Sequence, residues 1–113
     1  MSTYKVKTDE CGNKCYYLNG LLHRDEGPAC EYVDGSKYWF KNGQLHRENG
    51  PAVELVNGEK HWYKNGKYHR EDGPAIEYAD GYKCWYLNGK YYGTINKFTN
   101  ESWKKFIKTL IFF

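Results

Sequence analysis

The sequence has few aliphatic residues and no long hydrophobic run. Leu, Ile, Val and Phe together make up about 18% of the residues, a fraction that borders on that of disordered chains. No stretch of about 18 consecutive apolar residues is present, so no membrane-spanning helix is predicted. The first residues contain no apolar segment. A secretory signal peptide is therefore not expected, and the reducing cytoplasm is the predicted location.

The chain also has no large excess of charge of one sign. The 17 Lys and Arg residues oppose 14 Asp and Glu, and the net charge of +3 is too small to indicate a nucleic-acid partner. The four cysteines are Cys11, Cys15, Cys30 and Cys84. An oxidising compartment would allow two disulfides, but without a signal peptide we expect free thiols. A zinc site built from Cys11, Cys15 and a histidine is disfavoured because a second ligand pair is lacking.

Aromatic residues are abundant and occur in a repeat of 23 residues. The chain contains 12 Tyr and 4 Trp, which favour strands and bury large areas. Asn-Gly recurs at 19–20, 42–43, 65–66 and 88–89, with His-Arg after the first three and then Gly-Pro-Ala. About three and a half copies cover residues 8–92. The columns predicted to form structural ladders are Trp39, Trp62 and Trp85; His23, His46 and His69; Glu31, Glu54 and Glu77; and Arg24, Arg47 and Arg70.

The turn signals predict an all-β fold. Asp34-Gly35 and Asn42-Gly43 both indicate two-residue type I′ hairpins, and the Pro of each Gly-Pro-Ala segment interrupts a strand. We therefore predict an extended antiparallel meander of 23-residue β-hairpin repeats over residues 1–98. Terminal repeats need capping. We predict that an amphipathic helix at residues 99–113, with Thr99 or Asn100 as N-cap, docks over the last hairpin.

Two-residue turns fix the predicted strand register. Across Asp34-Gly35, Cys30 should lie opposite Trp39 and Glu31 opposite Tyr38. Across Asn42-Gly43, Trp39 should lie opposite His46 and Tyr38 opposite Arg47. One face then carries Cys30, Trp39 and His46, and the other carries Glu31, Tyr38, Phe40, Leu45 and Arg47. Arg47 is expected to meet Glu31 over Tyr38 or, if the Gly-Pro segment turns fully, to reach Glu54.

The repeat resembles a known family. The pattern aromatic-x-Asn-Gly-x-x-His, followed by an Asp-Gly turn, resembles the MORN (membrane occupation and recognition nexus) repeat, although His-Arg replaces the family's His-Gly. The matched positions are Phe40, Tyr63 and Tyr86 for the aromatic, Asn42-Gly43 and Asn65-Gly66 for the turn, and His46 and His69. The longer Trp-Tyr-x-Asn-Gly-x-x-His-Arg-x-Asp-Gly-Pro-Ala pattern is similar to repeats in uncharacterised proteins of large DNA viruses and phages, which would imply a host cytoplasm. The resemblance implies an interaction role and gives no substrate.

The recurrence of the polar residues argues against an enzyme. A catalytic set is needed once, whereas each His recurs beside the same aromatic column, as a cross-strand packing pair does. No catalytic residue and no cofactor are therefore predicted. The Glu and Arg columns are expected to pair with each other, and the alternative is a recognition stripe for peptides or anionic groups.

We expect a non-enzymatic repeat module for protein–protein interaction or scaffolding. Self-association through a strand edge or the C-terminal helix is the predicted mode, and homo-oligomers are expected. The predicted interaction surface on the helix consists of Trp103, Phe106, Ile107 and Leu110. Peripheral membrane attachment through this helix, with its interspersed lysines, is the alternative. Nucleic-acid binding by the aromatics is disfavoured because Glu31, Glu54 and Glu77 would repel phosphate.

Overall fold

The computed structural model describes residues 3–94 and 97–111 of the chain. Residues 1–2 and 95–96 of the predicted repeat domain and residues 112–113 of the predicted helix lie outside the described residues. Within them, fourteen short strands are followed by one helix. The elements are β1 (Tyr4–Thr8), β2 (Lys14–Leu18), β3 (Leu21–Leu22), β4 (Cys30–Glu31), β5 (Lys37–Tyr38), β6 (Phe40–Lys41), β7 (Gln44–Leu45), β8 (Val53–Glu54), β9 (Lys60–His61), β10 (Tyr63–Lys64), β11 (Lys67–Tyr68), β12 (Ile76–Glu77), β13 (Lys83–Leu87), β14 (Lys90–Thr94) and α1 (Asn100–Ile111).

The strands form one long antiparallel meander. The order in the main sheet is β1-β2-β4-β5-β8-β9-β12-β13-β14, and β3 also pairs with β2. The hairpins β6–β7 and β10–β11 form two-stranded sheets of their own beside this main sheet. The predicted fold, a long antiparallel sheet of hairpins with a C-terminal helix, is confirmed.

The Asn-Gly turns have the predicted type I′ geometry. Asn42 and Gly43 both have positive φ, 50° and 80°, and the other three Asn-Gly pairs repeat these values closely. Asn tolerates this left-handed conformation better than other residues with a side chain, and Gly adopts it freely. The His46 N–H donates to the carbonyl of Trp39 at 3.0 Å, so the predicted Trp39–His46 pair is confirmed.

The Asp-Gly turns are longer than predicted. The Gly35 N–H donates to the carbonyl of Tyr32 at 3.0 Å, and the Tyr32 N–H donates to the carbonyl of Ser36 at 2.9 Å. Gly35 has a φ of 99°, whereas Asp34 is not among the residues with positive φ. This combination is a three-residue loop, in which a type I turn is followed by a left-handed Gly bulge. The Asp34 carboxylate supports the loop by accepting the Ser36 N–H at 2.8 Å.

The extra loop residue moves the register by one position. Cys30 lies opposite Tyr38 and Glu31 lies opposite Lys37. The predicted pairs Cys30–Trp39 and Glu31–Tyr38 are therefore wrong, and so are the predicted faces, because a shift of one residue exchanges the two sides of a strand.

In each middle repeat, the first strand pairs within the main sheet, and the next two strands form a separate hairpin beside it. Tyr38 pairs with Val53 in the main sheet, whereas Phe40 begins a separate hairpin. The predicted pairing of Tyr38 with Arg47 is wrong. The Arg47 N–H instead donates to the carbonyl of Tyr63 in the next hairpin, at 3.3 Å. Successive Asn-Gly hairpins are thus joined to each other along a second row.

The helix docks over the last hairpin, as predicted. Thr99 is the N-cap: its Oγ1 accepts the Ser102 N–H at 3.0 Å, and the Thr99 N–H donates to Ser102 Oγ at 2.9 Å. The indole of Trp103 lies 5.3 Å from that of Trp85, centroid to centroid. Its Nε1–H donates to the carbonyl of Arg70 at 2.8 Å. The helix is therefore tied to the third repeat as well as the fourth.

The molecule is a thin slab with a small hydrophobic core. Its principal extents are 45 × 35 × 18 Å. Ala29, Ala52 and Ala75, one from each Gly-Pro-Ala segment, are fully buried. Because the aliphatic core is small, contacts between successive repeats carry much of the cohesion.

Candidate functional site

An arginine recurs in each of the first three repeats and clasps the aromatic residue of the same repeat. The guanidinium carbon lies over the aromatic ring at 3.9 Å for Arg24 on Tyr16, at 3.8 Å for Arg47 on Trp39 and at 3.7 Å for Arg70 on Trp62. A planar cation stacked on a π-face is attracted by the ring quadrupole. We call these three arginines, with their rings and the glutamates described next, the arginine ladder.

Each arginine of the ladder also bonds the glutamate seven residues later. Nη1 donates to the carboxylate at 3.3 Å in Arg24–Glu31, at 2.9 Å in Arg47–Glu54 and at 2.8 Å in Arg70–Glu77. The expected pairing of the two columns is thus observed within the chain. Of the two partners expected for Arg47, the structure places Glu54 in contact with it and pairs Glu31 with Arg24.

The arginine of each repeat also contacts the Gly-Pro-Ala segment, and these contacts explain why the segment recurs. Arg47 Nη1 donates to the carbonyl of Pro51 at 3.1 Å, and the same bond recurs in the other two repeats. A Cβ at Gly50 would lie 3.0 Å from the Arg47 guanidinium carbon, so a larger residue would push the guanidinium away by a few tenths of an ångström. Ala52 is completely buried beyond this point. The glycine makes room for the cation, the proline carbonyl accepts from it and the alanine fills the core.

The histidine column joins one repeat to the next. The backbone N–H groups of Asn42, Asn65 and Asn88 donate to Nδ1 of His23, His46 and His69, at 2.9–3.0 Å. Because Nδ1 accepts, the ring proton is on Nε2. That nitrogen donates to a carboxylate two residues later, at 2.8 Å for Asp25 and 2.9 Å for Glu48 and Glu71. Each histidine is therefore a bridge between turns, with both nitrogens occupied.

The two ends of the ladder are closed by different elements. At the first repeat, the carbonyl of Thr3 accepts the Asn19 N–H at 2.9 Å, in the place that a histidine fills in later repeats. The Tyr4 hydroxyl donates to Asp25 at 2.7 Å, and this bond, followed by that from His23, lowers the pKa of the Asp25 carboxyl. At the fourth repeat no arginine is present, because Gly93 stands in the arginine column. Trp85 is instead covered by Phe98 and Trp103.

A second charged column crosses the main sheet and was missed by the sequence-based register. Lys14, Glu31, Lys37, Glu54, Lys60, Glu77 and Lys83 lie opposite one another in that order on successive strands. Opposite charges on neighbouring strands attract, so each glutamate lies between two lysines besides bonding its arginine. In the sequence, a lysine follows each of these glutamates by six residues. This spacing places the two side chains opposite each other only if the loop between their strands has three residues.

Tyrosines pack against each other beside the second row of hairpins. Tyr63 stacks on Tyr68 at 4.3 Å between centroids, and Tyr68 contacts Tyr86 at 4.9 Å. The His61 Nε2–H donates to Glu59 at 2.7 Å, so Nδ1 accepts the Tyr68 hydroxyl proton at 3.0 Å. Burial, more than any neighbouring group, raises the pKa of Tyr68.

Two equivalent grooves lie between successive repeats. One, of about 610 Å³, is lined by Arg47, Trp62, His69 and Arg70, and the other, of about 390 Å³, by their counterparts one repeat earlier. The arginines and histidines that line these grooves already bond carboxylates of the same chain. The grooves are consequently polar, and their arginines and histidines are used within the chain.

An apolar cleft remains open between the helix and the last hairpin. It encloses about 520 Å³, and its apolar lining comes from Leu87, Tyr92, Ile107 and Leu110. We call it the helix cleft. Of the predicted helix surface, Trp103 is fully buried and so belongs to the core. Phe106, Ile107 and Leu110 are only half-buried.

Neither a metal cluster nor a membrane-spanning helix is found in the part of the chain that the structure describes. Over residues 3–94 and 97–111, no three His, Cys, Asp or Glu side chains are grouped so that they could hold a metal ion. In the same ranges, no helix is long and apolar enough to cross a bilayer. Cys11 lies in an exposed turn, while Cys15 lies opposite Cys30.

Comparison with protein-family models, with curated proteins and with solved structures finds no match to this chain. The resemblance to MORN repeats therefore stays a prediction, and the functional proposal depends on the geometry of the molecule.

Proposed function

We propose that the protein is a non-enzymatic interaction module that binds a protein partner in the helix cleft. One contrast carries the proposal. The charged groups of the arginine ladder and the histidine column bond within the chain, whereas the helix cleft, among the described residues, leaves apolar side chains partly exposed. Open apolar concavities are the surfaces on which proteins most often bind partners. Ladder residues then serve as the scaffold that holds this surface.

Charge favours an acidic amphipathic segment as the occupant. Lys90 lines the cleft, and Lys104 and Lys108 are exposed on the flank of α1 that adjoins Ile107. Glu71 is the acidic residue in the lining. A partner segment with Leu or Phe anchors and flanking Asp or Glu would satisfy both the apolar lining and the basic rim.

Self-association is the less favoured form of the proposal. The edge strand β1 is exposed along its whole length and, among the described strands, pairs with β2 alone. If two copies paired in antiparallel fashion about Val6, Lys5 of each copy would lie opposite Lys7 of the other. Like charges at directly opposed positions repel, and lysine on an edge strand is a common device against such pairing.

The test is selection of binders to the full chain from a random peptide library displayed on phage. Peptides that combine acidic residues with large apolar residues should be enriched on the wild type and lost on Leu110→Glu. Val56→Glu, which alters an exposed apolar residue on a distant loop, is the matched control and should retain binding. Enrichment that is equal on Leu110→Glu and on the wild type would refute the helix cleft as the site.

Two further measurements separate the other occupants. Sedimentation equilibrium would reveal a homo-oligomer, and one that Leu110→Glu dissociates would assign the cleft to a second copy instead. Flotation with vesicles of phosphatidylcholine and phosphatidylserine tests the membrane alternative. Because Trp103 is buried against Trp85, the helix cannot offer its whole apolar face to lipid. Flotation that Leu110→Glu abolishes would nevertheless replace the protein partner by a membrane.

A further inference from the structure

Two cysteines face each other across neighbouring strands at the start of the main sheet. Cys15 in β2 lies directly opposite Cys30 in β4. The Tyr16 N–H donates to the carbonyl of Ala29 at 2.6 Å, so the hydrogen bond falls on the adjacent residue pair. Cys15 and Cys30 therefore occupy a non-hydrogen-bonded position, where opposed Cα atoms are about 4.5 Å apart and side chains come closest.

We propose that Cys15 and Cys30 form a reversible cross-strand disulfide when the protein meets a small-molecule disulfide such as glutathione disulfide. The separation expected for this register falls inside the range of about 4.4–6.8 Å that disulfides require between Cα atoms. The strand register therefore meets the distance requirement for a disulfide.

The pairing of two cysteines occurs at one place in the repeat. The positions that correspond to Cys15 and Cys30 are Tyr38 and Val53 one repeat later, and then His61 and Ile76. Cys84 lies opposite Ile76 and Thr94, and Cys11 lies in the exposed turn after β1. The bond would link β2 to β4 within the first repeat.

The reaction is two successive thiol–disulfide exchanges. The half-buried Cys15, as thiolate, attacks one sulfur of glutathione disulfide and releases one glutathione thiolate, which gives a mixed disulfide. Cys30 then loses its proton to solvent and attacks Cys15 Sγ, which releases the second glutathione. Two protein thiols are oxidised and one glutathione disulfide is reduced to two thiols.

Cys30 suits the second step better than the first. It is only 3% exposed, so a bulky oxidant reaches Cys15 more easily. Burial, and then the neighbouring Cys15 side chain, raises the pKa of the Cys30 thiol. Closure of the disulfide should therefore be slower than formation of the mixed disulfide and should accelerate with pH.

The experiment is peptide mapping by mass spectrometry of the full chain after exposure to glutathione disulfide, without reduction. The expected product joins the peptides of Cys15 and Cys30 and is lighter than the two thiol peptides by two hydrogens. Cys11→Ser and Cys84→Ser should still form it, whereas Cys15→Ser and Cys30→Ser should not. Closing this loop of 15 residues should raise Tm by about 5–15 °C.

The contrary results are equally specific. A stable glutathione adduct on Cys15 without closure, or a link from Cys15 to Cys11, would overturn the proposal. Because mapping of the wild type gives this answer, the proposal is testable even if a serine variant fails to fold. Addition of dithiothreitol should restore the thiols and the lower Tm, and a bond that resists reduction in the folded chain would contradict a reversible switch.

Discussion

Replacing Arg47 by alanine removes the central contact of the arginine ladder. The substitution deletes the stacking on Trp39 at 3.8 Å, the bond to Glu54 at 2.9 Å and the bond to the Pro51 carbonyl at 3.1 Å. It also leaves the Glu54 carboxylate, whose side chain is 36% exposed, without the guanidinium that it bonds. We expect the free energy of unfolding to fall by more than it does for loss of an exposed surface charge.

The magnitude follows from the three contacts. A partly desolvated cation–π contact contributes about 0.5–2 kcal/mol. The ion pair is about a third exposed, so solvent screening limits it to about 0.2–1 kcal/mol. The hydrogen bond to a backbone carbonyl contributes about 0.5–1.5 kcal/mol. The expected loss for Arg47→Ala is therefore about 1–4.5 kcal/mol.

The three arginines should differ in a definite order. Arg24 stacks on a tyrosine and holds its glutamate at 3.3 Å, so Arg24→Ala should cost least. Arg70 stacks on Trp62 and also donates from Nε to Asp72 at 2.9 Å, so Arg70→Ala should cost most. A surface lysine on the helix provides the control: Lys105→Ala removes the same charge from an exposed site and should change stability by less than about 0.5 kcal/mol.

Urea unfolding followed by far-UV circular dichroism measures these differences without relying on tryptophan emission, which the stacking itself would alter. The reasoning is refuted if Arg47→Ala is no more destabilising than Lys105→Ala. It is also refuted if Arg24→Ala costs as much as Arg70→Ala, because the ring and the pairing distances would then not determine the energy.

Three other predictions concern the core, a turn and a buried tyrosine. Trp103→Ala should lower the free energy of unfolding by about 3–5 kcal/mol in urea denaturation, because the ring is fully buried, and a loss below about 1 kcal/mol would contradict its place in the core. Gly66→Val should lower Tm, since Gly66 has a φ of 78° that a β-branched residue adopts only with strain, and an unchanged melting curve would contradict the type I′ turn. Burial raises the pKa of Tyr68 in the folded chain above its ordinary value of 10.0, so the stability that the neutral hydroxyl contributes is fully present below about pH 10 and is lost as the pH rises further. The alkaline decline in stability should therefore be shallower in Tyr68→Phe, and identical slopes in urea titrations across this range would refute the assignment.

The Asn-Gly turns could be predicted because this residue pair strongly favours one turn conformation, type I′. Two consecutive positive φ values in a tight hairpin suit Asn42 and Gly43 and few other pairs. Asp34-Gly35 is compatible with either a two-residue or a three-residue loop. The choice depends on the bond from the Ser36 N–H to the Asp34 side chain and on the stacking of one loop upon the next, which a single repeat does not reveal.

The register error explains most of what the sequence did not reveal about the site. With each loop one residue too short, Glu31 was expected opposite Tyr38 when it lies opposite Lys37, and Cys30 was expected beside Trp39. The predicted register therefore does not bring the lysines and glutamates of this column, or Cys15 and Cys30, opposite each other. The periodicity of the helix correctly indicated an apolar face. It could not distinguish Trp103, which fills the end of the ladder, from Leu110, which stays partly exposed.

The central claim is that recurring side chains hold successive repeats side by side, and the histidine bridges test it most directly. NMR of the ¹⁵N-labelled chain can detect scalar coupling through a hydrogen bond between a backbone amide and an imidazole nitrogen. We predict couplings from the amides of Asn42, Asn65 and Asn88 to Nδ1 of His23, His46 and His69, with the ring proton on Nε2. Histidines without such coupling, or with the proton on Nδ1, would contradict the stacked arrangement.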